Sequence, residues 1–160
     1  MAITPHTPAP TACTTAAGRP AFVVNIEVFL ERDGRWLLVK RGEGEAHAPG
    51  TLAGVGGKVE VDDGGADVFE RAARREVAEE VGVDLAGVDL TYVESGYFVT
   101  DDGDPVINVV FTGRLPATAT PVAAAPQEVA EVVWLTVAEA EGHPGCPPWI
   151  LGPLRRLASR

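Results

Sequence analysis

The chain has 160 residues, 46% hydrophobic and 22% charged, which is the composition of one globular domain with a buried core and excludes wholesale disorder. Thirteen Lys and Arg stand against 23 Asp and Glu, for a net charge of −10. That field repels phosphate backbones, so neither a nucleic-acid polymer nor an anionic membrane is an expected partner. A small phosphorylated ligand would need its charge neutralised locally, and a divalent cation suits that task.

Two cysteines, Cys13 and Cys146, form no Cys-x-x-Cys pair, and His6, His47 and His143 complete no zinc pattern with them. Cys146 and His143 supply two donors, fewer than a site needs. There is no cationic start followed by an apolar core, and no apolar run of about 18 residues, so a cytoplasmic protein is expected.

Residues 1–20 are mostly Thr, Ala and Pro with almost no charge, and are expected to form a disordered tail; 21–160 form the domain. AFVVNIEVFLER and RWLLVKR read as strands joined by an Asp33-Gly34 hairpin. Arg41 ends the second strand, where a phosphate contact and a solvated end are both open readings. A polar loop carrying His47 follows, then TLAGVGGKVE, whose three glycines suggest a close backbone approach. Phe69, Ala73, Val77 and Val81 set a helical period, with Asp67 and Glu70 at capping-box spacing and Gly82 as the stop. LTYVESGYFVTDD and PVINVVFTGRL form a hairpin about Gly103, and EVAEVVWLT a further strand. Tyr92 and the aromatics of GYFVT read more readily as core than as a platform for a base. Thr136 with Glu139 opens a short helix, and a last helix begins near Trp149.

One segment carries more acid than a helix needs. In RREVAEEVG, Glu76 and Glu80 lie one turn apart with Glu79 beside them, and like charges so placed cost a few tenths of a kcal/mol per pair. An isolated EVAEE is a solvated face; with glycines upstream, the cluster is suited to a hard cation such as Mg²⁺ or Mn²⁺.

GGKVE followed by RREVAEEVGV resembles the signature of the Nudix hydrolases, Gly-x5-Glu-x7-Arg-Glu-U-x-Glu-Glu-x-Gly-U, where U is a bulky apolar residue. Arg75, Glu76, Val77, Glu79, Glu80, Gly82 and Val83 match the second half. Counted from Gly57, the first half is four residues longer, and Asp67 falls where the family has Glu. The resemblance implies an α/β/α sandwich with a mixed sheet. It implies a metal held by Glu76, Glu79, Glu80 and the Gly56 carbonyl, with Glu60 as a possible support. Arg75 would orient the glutamates, and Lys58 is either a phosphate contact or a solvated strand end. The family often adds an acid from a later loop, best placed here at Glu128, with Glu131 and Asp102 behind it. The implied reaction is water attack on a diphosphate of a nucleotide derivative, with Glu79, Glu80 or Glu128 as base. A nucleotide-sensing module without turnover is the alternative. Isomerisation of a prenyl diphosphate ranks last, since the relative that does it uses a core cysteine. Homodimers are common among similar proteins.

Overall fold

The computed structural model describes residues 14–160. Most of the expected tail, residues 1–13, lies outside them; Thr14 to Pro20 closes a small turn through an isolated bridge. β1 (Val23–Arg32) and β2 (Arg35–Arg41) meet at Asp33 and Gly34, whose φ angles of 53° and 77° are both positive. Such a two-residue turn matches the right-handed twist of the strands it joins.

β3 (Leu52–Ala53) pairs with β2, and β4 (Val55–Lys58) with β1. β5 (Thr91–Val99), β6 (Pro105–Arg114) and β7 (Val129–Leu135) complete a seven-stranded sheet with the path β3-β2-β1-β6-β5, β7 lying on β2. The β1–β6 pair is parallel and the others are antiparallel, so the sheet is mixed.

Alternation along β1 divides the core. Ile26, Val28 and Leu30 pack on one face against Ala72, Ala73, Val77 and Val81 of α1 (Val68–Val81). Phe29 on the other face joins Trp36, Leu38 and Val110 under Ala140 of α2 (Val137–Gly142) and Ile150, Leu154 and Leu157 of α3 (Pro148–Ala158). The result is the α/β/α sandwich. None of the helices in the described residues is long and apolar enough to cross a membrane.

Thr136 and Glu139 exchange the expected capping hydrogen bonds, and Gly82, at φ 68°, ends α1. The expected box at Asp67 does not form. Asp67 is left-handed at φ 54° and its side chain makes no cap bond, because that backbone turns the carboxylate away from the first-turn N–H groups. The β5 aromatics also depart from expectation: Tyr92, Tyr97 and Phe98 are exposed. Tyr92 lies edge-on to Phe111, and Phe98 stacks on His47.

Candidate functional site

Arg75 is the hub of the site. Its Nε and one terminal nitrogen donate to the two oxygens of Asp63, each at 2.9 Å, in the two-point fork that carboxylates accept best. The other terminal nitrogen donates to Glu76 Oε1 at 2.8 Å and Glu79 Oε2 at 3.0 Å. A further bond reaches the Lys58 carbonyl at 3.0 Å. This one guanidinium therefore ties α1 to the end of β4 and to the 3-10 turn at Val61–Asp63.

Asp63, and not Asp67, meets the arginine. It is buried, it also accepts from the Glu60 N–H at 2.8 Å, and its backbone carbonyl takes two bonds from Arg71. The hydrogen bonds from Arg75 hold its carboxyl at about 2, below the ordinary 3.8, against the opposing effect of burial. The same pair raises the arginine's own pKa. Counted from Gly57, Asp63 stands at the fixed five-residue interval, so the four extra residues follow the acid and lie in the run to Arg75. Asp67 is exposed on the far side of that insertion.

Glu76 and Glu80 are each only 7% exposed. Burial raises the pKa of both; the bond from Arg75 opposes this at Glu76, and the Gly56 N–H, 3.1 Å from Glu80 Oε2, opposes it at Glu80. The charges of Glu76 and Glu128 add to the rise at Glu80, which reaches about 8. The charge of Glu128 acts on Glu76 as well, which places this loop residue, ahead of β7, within the same field. Glu79 is the outward member, its side chain 57% exposed.

The glycines explain how the helix comes so close. A Cβ on Gly57 would lie 2.4 to 2.7 Å from the Glu76 carboxylate, and one on Gly56 would lie 1.9 Å from the Ile26 carbonyl. Gly57 thus lets α1 close on β4, and Gly56 lets β4 pair closely with β1.

The remaining expected residues spread outward. The Lys58 side chain is exposed, as is Glu60, which contributes its N–H to Asp63. Arg41 is half-buried, bonded to Glu45 at 2.6 Å and to the His47 carbonyl at 2.9 Å, and its charge acts on Glu80. Glu131 is exposed along β7 and Asp102 on the β5–β6 turn. Trp149 is 60% exposed on α3. Cys146 packs half-buried on the second core cluster, its thiol pushed up by burial, and His143 is exposed beside it. Among the described residues no three His, Cys, Asp or Glu side chains gather closely enough to hold a metal as they stand. The donor set nevertheless suits a hard cation: two buried carboxyl groups beside the glycines of β4, Glu76 held by Arg75 and Glu80 by the Gly56 N–H.

Sequence reasoning did not mark Glu27, on β1. It is half-buried, its pKa is raised by burial, and it accepts from the Gly54 N–H and the Asn108 side chain, each at 3.2 Å. Its only sequence signal is an acid between the apolar Ile26 and Val28 in the middle of a strand.

Comparison with known proteins identifies the fold and the family. The model of the NUDIX domain matches residues 21–151. An isopentenyl-diphosphate Delta-isomerase of Jannaschia sp. (strain CCS1) is 34% identical over 143 residues, covering 83% of this chain and 77% of that protein. The crystal structure of a MutT protein from Methanosarcina mazei Go1 superposes with a TM-score of 0.71 at 21% identity, over 86% of this chain and 94% of the other. The NUDIX domain of Shewanella oneidensis NrtR, complexed with ADP ribose, also gives 0.71, at 18% identity over 91% and 92%. With the family model spanning most of the chain and Arg75 seated among the glutamates of the box, the chain belongs to the Nudix hydrolase family.

Proposed function

We propose that the protein hydrolyses a diphosphate linkage in a nucleotide derivative, with Mg²⁺, or Mn²⁺ in its place, held by Glu76, Glu79, Glu80 and the Gly56 carbonyl. The observation that carries this reading is the pair of buried carboxyl groups, Glu76 and Glu80, kept side by side at a glycine strand, the first braced by Arg75 and the second by the Gly56 N–H. A helix face with only a structural role has no reason to bury two carboxyl groups side by side. The bound cation supplies charge neutralisation for the phosphoryl oxygens and acidifies a water.

The chain's own groups do the rest. Arg75 fixes the rotamers of Glu76 and Glu79. Glu80 is buried and bonded to the Gly56 N–H, which suits a ligand better than a group exchanging protons with water. Glu128 is exposed, is not held by Arg75 and lies in the same field, so it is the better general base. Lys58 at the end of β4 and Arg41 at the end of β2 are the cations for the non-bridging oxygens. Glu60 supports the site from its rim.

A second reading comes from the isomerase relative: shifting the double bond of a prenyl diphosphate. Cys146, the one cysteine among the described residues, packs on the second core cluster away from α1 and has its thiol pushed up, which is unlike an activated thiolate. Cys13 lies outside the described residues.

The test is product release from nucleoside di- and triphosphates, nucleotide sugars, ADP-ribose, dinucleoside polyphosphates and isopentenyl diphosphate, with Mg²⁺, Mn²⁺ or EDTA. Metal-dependent cleavage supports the hydrolase. Proton NMR showing a shifted double bond with no phosphate release overturns it in favour of isomerisation. Metal-dependent nucleotide binding without turnover overturns it in favour of a sensor.

A further inference from the structure

The opposite face of the sheet carries a polar network that neither packing nor the glutamates of α1 explain. Asn25 on β1 donates from Nδ2 to Asn108 Oδ1 at 2.7 Å, and Asn108 on β6 donates to Glu27 Oε2 at 3.2 Å. Glu27 Oε1 accepts from the Gly54 N–H, also at 3.2 Å. All three side chains are half-buried, on a face whose neighbours Phe29 and Val110 are core. Asn and Glu are poor strand formers, so their place in the middle of the sheet calls for a role.

The surroundings form a trough. Glu27 pairs across the sheet with Gly56, and Asn108 with Gly96, so glycines flank the network on both sides. A Cβ on Gly54 would lie 2.7 Å from Glu27 Cγ, whereas one on Gly96 would meet open space. Phe98, two residues along β5 from Gly96, stacks at 6.5 Å and 20° on His47 of the β2–β3 loop. Arg41 anchors that loop through the His47 carbonyl, and its charge acts on both Glu27 and Glu80. The trough therefore adjoins the acidic site, with the glycine strand and Arg41 between them.

We propose that this trough holds the non-reacting end of the substrate and selects a ring bearing two adjacent N–H donors, the 2-amino-4-oxopyrimidine edge of guanine. Each Glu27 oxygen accepts one bond from the protein and has a lone pair left, so the carboxylate presents two acceptors side by side. Ring N–H and exocyclic amine donors match that pair. Adenine and cytosine present an acceptor beside their amine, which would face a carboxylate oxygen, and a prenyl chain has nothing to offer it. Phe98 and His47 supply an aromatic surface that any ring can use. Guanine nucleotides and reduced pterin triphosphates share this edge, and the test separates them.

This inference rests on the proposed hydrolase, and the experiment is arranged so that the two can fail separately. Titration calorimetry of the Mg²⁺-loaded protein with GDP, IDP, ADP and isopentenyl diphosphate reads the pocket without turnover. GDP is expected to bind at least tenfold tighter than IDP, which differs only by the 2-amino group, and Glu27→Gln to erase that difference. Equal GDP and IDP affinities, or a Glu27→Gln loss of the same size for every ligand, overturn the proposal whether or not the protein is a hydrolase. Where turnover is present, kcat/KM for GTP should exceed that for ITP and ATP by tenfold or more, through KM. Phe98→Ala should weaken GDP and IDP alike and leave their ratio unchanged; a changed ratio overturns the assignment of the edge to Glu27. A preference for dihydroneopterin triphosphate over GTP keeps the edge and names the pterin as its bearer.

Discussion

Replacing Asp63 with Asn tests the ion pair at the centre of the site. The folded carboxyl lies at about 2 against an ordinary 3.8, held there chiefly by Arg75. Each pKa unit between folded and unfolded states corresponds to about 1.4 kcal/mol, so the pair contributes about 2.5 kcal/mol at full value. A single loop turn separates Asp63 from water, so screening reduces the expected cost of Asp63→Asn to about 1–2 kcal/mol. Because the folded pKa is depressed, this stability is present above about pH 4 and is lost as the pH falls toward 2. Urea unfolding of the parent and the variant at pH 7, 4 and 2.5 should show curves that converge as the carboxyl protonates. Asp67→Asn, at the exposed left-handed position, should cost under about 0.5 kcal/mol at every pH. Equal costs at the two positions, or an Asp63 cost that does not change with pH, would refute the assignment of Asp63 as the partner of Arg75.

Three other substitutions probe the glutamates. Glu79→Gln should lose turnover by about 10²-fold or more while unfolding within about 0.5 kcal/mol of the parent, since it removes an exposed ion pair and one of three crowded charges; unfolding of this variant would make Glu79 structural. Glu80 has its folded pKa raised to about 8, so in EDTA the parent should lose stability as the pH climbs from about 4.5 through 8. Glu80→Gln should then be the more stable protein by about 1–3 kcal/mol at pH 9 and equal to the parent at pH 4, with Mg²⁺ stabilising only the parent; thermal scans in EDTA and in Mg²⁺ read both. In Gly57→Ala the new methyl must displace the end of Glu76, so activity should fall about 10²-fold with the far-ultraviolet circular dichroism unchanged, whereas Gly56→Ala meets the Ile26 backbone and should lower the melting temperature.

Much of what local chemistry dictates was legible in advance: the Asp33-Gly34 turn, the Thr136 box, the Gly82 stop and the helical period of α1 all rest on neighbours within a few residues, though of its apolar row Ala73, Val77 and Val81 are buried and Phe69 is exposed. What depends on distant partners was not. Glu27 meets Asn108 across 81 positions, and Asn25 meets it across 83, an encounter set up only by the parallel pairing of β1 with β6. The exposed β5 aromatics misled for a related reason. Alternation marks which residues share a face, but not that no helix covers this end of the sheet.

The inserted residues were the harder case, and they show where this motif tolerates change. Asp63 keeps the five-residue interval from Gly57, and Asp67 keeps the seven-residue interval to Arg75, so each preserves one spacing of the signature and breaks the other. Loop-closure entropy does not choose between them, because four extra residues cost nearly the same on either side of the acid. The choice falls to Arg75, whose fork needs a carboxylate that is buried and approaches from the β4 side, and only the 3-10 turn at Val61–Asp63 delivers one. From Arg75 to Gly82 no such freedom exists. One residue inserted after Glu76 would rotate everything beyond it by about 100°, carrying Glu80 off the face that meets Gly56 and Glu79 out of reach of Arg75. Length can therefore vary in the turn, where an acid need only arrive, and cannot vary in α1, where each glutamate's place follows from the period of the helix.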